Sequence, residues 1–326
     1  MKKVFLAFAI ILVIGLILAF TGFALLGFDS NAITKAFTNQ RDADFTAVSK
    51  TVELLPQKLE IDCINNTIEF YEIEEDKITF DYYQSDYYFF ELSESSELVK
   101  LKAIKENQTW LKRWSLELGT ISPHIQKARV GLSKNFAGQL IIETTNGDVD
   151  LSSTNELELL KINMTNGKVN IKNISVANDI SIDNTNGIIS LKDITVSKNC
   201  TVKTTNGNIT VASTVANIID ASTTNGRIAI TGAQAQELLS HTTNGNISIS
   251  YTNCLKMDTQ TTNGNIIINA LGNFEDTKMI IRNTVGSITV NGVKYATQTL
   301  NPNASKSISA KSTNGNITID FKELAN

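Results

Sequence analysis

The sequence predicts an all-β fold, a parallel β-solenoid of about 19–20-residue turns preceded by one N-terminal transmembrane helix. Three observations predict it. Thr-Asn-Gly recurs at Gly147, Gly167, Gly187, Gly207, Gly226, Gly245, Gly264 and Gly315, with a variant at Thr284-Val285-Gly286. The residues two and four after each of these glycines are aliphatic, from Val149 and Leu151 to Ile317 and Ile319, with mostly polar residues between them. That period of two marks a strand with one buried face. The third observation is an uncharged run from Val4 to Phe28 behind Lys2 and Lys3.

Taken in chain order, residues 1–28 read as a signal anchor. At about 1.5 Å per residue the apolar run reaches roughly 37 Å as a helix, enough for a hydrocarbon core of about 30 Å. A cleaved signal peptide is the rival, but Phe23-Ala24-Leu25-Leu26-Gly27-Phe28 makes a poor cleavage site. The positive-inside rule keeps Lys2 and Lys3 cytoplasmic and puts the solenoid outside a single-pass cell membrane protein. Residues 29–44 read as a tether.

Residues 45–126 alternate without the Thr-Asn-Gly signature, as in Leu59-Glu60-Ile61-Asp62 and Ile78-Thr79-Phe80. They are expected to form irregular first turns and an N-terminal cap, because solenoid ends must be covered. Residues 127–321 are the regular solenoid and 322–326 a C-terminal tail. The structural turn positions are Asn146 and Gly147, Asn166 and Gly167, Asn186 and Gly187, Asn206 and Gly207, Asn225 and Gly226, Asn244 and Gly245, Asn263 and Gly264, and Asn314 and Gly315. Asn-Gly also suits antiparallel hairpins. The constant spacing, with like residues at like phase, instead favours each turn stacking directly on the last, with asparagine bonding its stacked neighbour or the local backbone. About ten extra residues before Gly315, including Leu300-Asn301-Pro302-Asn303, are expected to leave the rod as a loop.

The lysine-led anchor ending in Gly22-Phe23-Ala24-Leu25-Leu26-Gly27, with Leu132-Ser133-Lys134-Asn135-Phe136-Ala137-Gly138-Gln139-Leu140 running into Glu143-Thr144-Thr145-Asn146-Gly147, carries a family resemblance. It resembles the bacterial membrane-tethered, adhesin-like solenoids built on domain of unknown function 4097. The resemblance implies a β-solenoid at the cell envelope and carries no catalytic motif.

Composition narrows the function classes. With 29 basic and 33 acidic side chains there is no strong field for nucleic acid. Three cysteines, Cys63, Cys200 and Cys254, without Cys-x-x-Cys spacing argue against a disulfide scaffold but leave one bridge open. Two histidines, His124 and His241, argue against a histidine metal cluster, and no cofactor is expected. Solenoids do host carbohydrate-active enzymes, but Asp148, Asp150, Asp183, Asp193 and Asp258 occupy different phases, so no carboxylate pair is expected. Ser240 and His241 are adjacent on a strand and should face opposite ways. Thr144-Thr145, Thr204-Thr205, Thr223-Thr224 and Thr261-Thr262 are adjacent, which argues against an ice-binding plane.

Two segments depart from the repeat. One is the aromatic stretch Phe70–Phe90, where Tyr82, Tyr83, Tyr87 and Tyr88 are the candidate residues for contacting an envelope glycan or protein partner. The other is Trp110-Leu111-Lys112-Arg113-Trp114. The expected function is a non-enzymatic, membrane-tethered binding module. The alternative is a structural or sensory envelope component without a dedicated ligand, and a carbohydrate-active enzyme is the remote third.

Overall fold

The structure, a computed structural model, describes Ile14, Gly15, Thr21 and residues 45–106, 126–153 and 156–322. Most of the expected anchor, the whole 29–44 tether and the Trp110–Trp114 segment lie outside these residues. Among the described residues no helix is long and apolar enough to cross a membrane. The chain divides into two units, one of residues 48–82, 90–104 and 127–326, the other of residues 1–47, 83–89 and 105–126.

The larger unit is an all-β stack of coils with parallel pairing between successive coils. On its first face, strands from Gln139–Asn146 to Gln234–Asn244 pair in register, like residue on like, as with Ile162 on Ile182 and Asn166 on Asn186. On the second face, Val149–Ser152, Val169–Val176, Ile189–Val196 and Ile209–Val215 do the same. Every aliphatic residue two or four after a turn glycine is buried, none more than 4% exposed. Each such side chain contributes about 1.5–3 kcal/mol by leaving water.

The corner between these faces is held by stacked asparagines. Asn314 Nδ2 donates to Asn263 Oδ1, and the chain of bonds continues through Asn244, Asn225, Asn206, Asn186 and Asn166 to Asn146, at 2.7–2.9 Å. Asn146 then donates to Asn65 at 2.7 Å, so Asn65-Asn66 is a further turn without the Thr-Asn-Gly spelling. Glycine follows because the coils approach closely there. A Cβ on Gly226 would lie 1.8 Å from the Gly207 carbonyl oxygen. At Gly187, φ is also +147°.

A second corner lies six residues after the glycine. Asn173, Asp193, Ser213 and Tyr251 take φ of 48–56° there, and Gly232 takes 65°. Asparagine and aspartate tolerate this left-handed conformation, whereas tyrosine adopts it only under outside constraint. Its residue types vary, so the sequence gives no repeated signal for this corner.

Stacking does not follow chain order at either end, which corrects the expectation that each turn lies on the last. The C-terminal coil, Lys306–Asn314 and Ile317–Lys322, lies between the Gly264 coil and the Gly286 coil. At the opposite end, Lys58–Cys63 and Thr67–Ile73 lie between the Gly147 coil and the outer strands Leu98–Lys105 and Lys127–Ser133. The expected loop near Leu300 is a second correction. Val293–Tyr295 and Gln298–Leu300 pair antiparallel with Ile288–Val290 and Thr277–Val285, covering the last parallel edge. Asn301 fastens this cap through Nδ2 to the carbonyls of Phe274, at 2.7 Å, and Thr277, at 3.2 Å. Ile78–Gln84 covers the other end, antiparallel to Lys127–Ser133.

The smaller unit holds Phe45 edge-on to Tyr87, with ring centroids 5.8 Å apart. Within it, the Glu106 amide donates to the Tyr87 carbonyl at 3.0 Å. All three cysteines are free thiols. Burial pushes Cys200 up to about 12 and Cys254 to about 11, so neither is a nucleophile at neutral pH.

Candidate functional site

Alternation on the first face decides what reaches the surface before each turn. The residue three before the glycine points inward and closes the corner. Thr223, Thr242 and Thr261 donate through Oγ1 to the carbonyls of Gly207, Gly226 and Gly245 at 3.1, 3.1 and 2.9 Å. Ser312 does the same to Gly264 at 3.0 Å. The residue two before the glycine points outward and is an exposed threonine in all nine copies. Adjacent threonines in the sequence therefore do separate jobs, one bonding the corner and one forming a surface row.

The residue four before the glycine also points outward, and its chemistry changes along the stack. In spatial order the register runs Asp62, Glu143, Asn163, Asp183, then Lys203, Ser222, His241, Gln260, Lys311 and Arg282. From Asp62 to Asp183 the row is acidic or neutral and from Lys203 to Arg282 it is cationic or neutral, while beyond Asp62 it ends on a further cation, Lys102. Between this row and the threonine row runs a groove of about 890 Å³ in the cationic half, lined by Lys203, Thr224, His241, Thr243, Arg282 and Lys311 among others. A smaller hollow of about 450 Å³ includes Asp62, Glu143 and Asp183. The cap sets one end of the larger groove: Thr297 Oγ1 donates to the Asn283 carbonyl and accepts from its amide, each at 3.1 Å.

The cations are only loosely paired. Lys203 Nζ is 4.0 Å from Asp220, and Lys311 Nζ is 4.0 Å from Asp258, which also accepts from Gln260. Two groove residues carry covered polar atoms that make no hydrogen bond within the protein, His241 Nε2 and Asn283 Oδ1. Such atoms are uncommon in folded proteins, because leaving them unpaired costs about 1–3 kcal/mol.

The sequence reading placed the site elsewhere, on Tyr82, Tyr83, Tyr87 and Tyr88. The structure removes Tyr82 from that surface: it is 3% exposed, with its ring 4.4 Å from that of Phe90. Burial also pushes its phenol pKa up. Tyr83, Tyr87 and Tyr88 are half-buried. The Tyr88 amide bonds Ser85, closing a tight turn. Ser240 is buried against Thr259 at 3.0 Å while His241 faces the groove, so the two do not form a nucleophile–base pair. Among the described residues no three His, Cys, Asp or Glu side chains gather as a metal site. The sequence reading missed the charge-graded row, although the residues four before each glycine hold most of it. The true order also needs the Asn65 coil and the exchange of Lys311 with Arg282.

A family profile described as Toastrack DUF4097 matches residues 56–320. The chain belongs to the Toastrack DUF4097 family. A search of curated proteins finds no match. Among solved structures, this Toastrack chain is similar to a "putative adhesin" from Parabacteroides merdae, at 15% identity and a TM-score of 0.49, covering 86% of this chain and 97% of that one. A "putative adhesin" from Bacteroides fragilis aligns at 12% identity and a TM-score of 0.42, covering 85% and 97%. One from Parabacteroides distasonis aligns at 14% and 0.41, with the same coverage.

Proposed function

We propose that this Toastrack chain is a non-enzymatic, adhesin-like binding module of the cell envelope. Its N-terminal run anchors it in the membrane, and its solenoid lies outside. The observation that carries the reading is the polar groove, where cations and threonine hydroxyls are held at fixed spacing on a rigid sheet. A scaffold of stacked coils positions such groups without ordering cost at the moment of binding. The half-buried Tyr83, Tyr87 and Tyr88 form a second, independent candidate contact.

Capture of envelope components on immobilised residues 45–326 tests the reading. Wild-type protein is expected to retain a component. Serine at Tyr83, Tyr87 and Tyr88 and glutamine at Lys203, Arg282 and Lys311 then report which surface holds it. Capture of nothing from a complete envelope extract would favour a structural or sensory component without a dedicated ligand. For the anchor, intact mass should show that the mature protein retains Lys2 and Lys3; an N-terminus near Asp29 would overturn it.

A further inference from the structure

Resting on the binding-module reading, we infer that the groove binds a linear, hydroxyl-rich polyanion: a sugar or polyol polymer carrying repeated carboxylates or phosphates. Length is the first argument. From Asp183 to Arg282 the groove crosses six coil spacings, about 29 Å at roughly 4.8 Å each. A small molecule would leave most of it empty, whereas an extended polymer lies along it.

Lining chemistry is the second. The groove wall holds threonine, serine, asparagine, glutamine and charged side chains, with no aliphatic, phenylalanine, tyrosine or tryptophan residue. Ordinary small-molecule pockets gain their affinity from walls of aliphatic and aromatic side chains, and this groove has no such side chain. Neutral sugars and nucleobases are held largely by stacking on aromatic faces, which are also missing. What remains is charge and hydrogen bonding.

Charge is the third. Lys203, Lys311 and Arg282 face the groove against one carboxylate, Asp183. Lys203 and Lys311 lie four coils apart, about 19 Å, and Arg282 stands one coil beyond Lys311, so positive charge is set towards both ends of the groove. Asp220 and Asp258 stand beside the two lysines at 4.0 Å, beyond hydrogen-bond length, and leave the ammonium donors available to a ligand anion. The exposed threonines, one per coil, face the ligand's hydroxyls. His241 Nε2, without a protein partner, gains one from such a ligand after a side-chain rotation, whereas Asn283 stays fixed by its Nδ2 bond to the Gly315 carbonyl at 2.8 Å. Beyond Asp183 the row turns acidic at Glu143 and Asp62, which confines a polyanion to the cationic half.

The test uses the full chain in zwitterionic detergent, titrated by calorimetry with oligogalacturonate, oligo(glycerol phosphate) and neutral dextran at low salt. At least one polyanion should bind, dextran should not, and the two polyanion arms distinguish carboxylate from phosphate ligands. Lys203→Gln/Arg282→Gln/Lys311→Gln should weaken binding by about ten-fold or more, as should high salt. Glu143→Gln, in the other half of the same row, should change it by less than about two-fold. All four substituted residues are on the surface, and unchanged circular dichroism and melting confirm the fold. Failure of both polyanions to bind, equal binding of dextran, or undiminished binding by the triple variant overturns the inference. If wild-type protein still captures an envelope component in those cases, the binding-module reading stands without this ligand class; if it captures nothing, both fall.

Discussion

At the scale of single residues, two asparagines beside turn glycines, Asn225 before Gly226 and Asn246 after Gly245, look interchangeable and are not. Asn225 uses both ends of its amide, donating to Asn206 and accepting from Asn244. Asn246 uses its oxygen, which accepts from the Asn265 amide at 2.8 Å. A carboxylate replaces the second role but not the first. Asn225→Asp is therefore expected to cost about 1–2 kcal/mol, because it loses a donor and sets two acceptors face to face. Asn246→Asp should stay within about 0.5 kcal/mol. Denaturant titration of the two variants checks this, and an equal loss would mean that the ladder contributes nothing beyond local polarity.

Strands and caps set the next scale. Ile247 is fully buried beside the outward Asn246. Ile247→Asp puts an unpaired carboxylate inside the stack and should cost several kcal/mol, far more than Asn246→Asp. Comparable denaturation midpoints for these neighbours would show the inward and outward assignment to be wrong. The caps answer a different demand. A parallel coil left bare offers a row of unpaired amides and carbonyls to any other strand. Replacing residues 293–300 with a Gly-Ser linker should therefore produce concentration-dependent association in sedimentation velocity, while the monomer keeps its β circular dichroism. A variant that stays monomeric at high concentration would show that the cap does not protect the edge.

Across the whole solenoid, spatial order carries a consequence that chain order hides. In a repeat protein, losing an end coil removes one interface and losing an interior coil removes two. The last coil in sequence is interior in space, between the Gly264 and Gly286 coils. Truncation after Ser305 should therefore strip hydrogen-exchange protection from Thr277–Val285 and Ile288–Val290 as well as lower the melting temperature. If both strands remain protected, the insertion of the C-terminal coil is not the native arrangement.

The sequence alone determined which side chains are buried, because a period of two on either side of each Thr-Asn-Gly leaves no choice of face. It also placed the turn asparagines at one phase, and stacking then made them bond one another. Only the tertiary structure decided which coil lies on which. Every coil presents nearly the same edge, so local pattern cannot distinguish the Gly286 coil from the Gly315 coil as the neighbour of Gly264. The Asn65-Asn66 turn was hidden for a related reason: it keeps the ladder asparagine but has Ile64 and Asn66 where the repeat has threonine and glycine. Tyr82 shows the remaining limit. Its inward face follows from the alternation of Ile78 and Phe80, but its partner Phe90 lies on a return strand whose position no local alternation encodes. The groove belongs wholly to this second category, since residues about twenty positions apart become a row only when the coils are stacked.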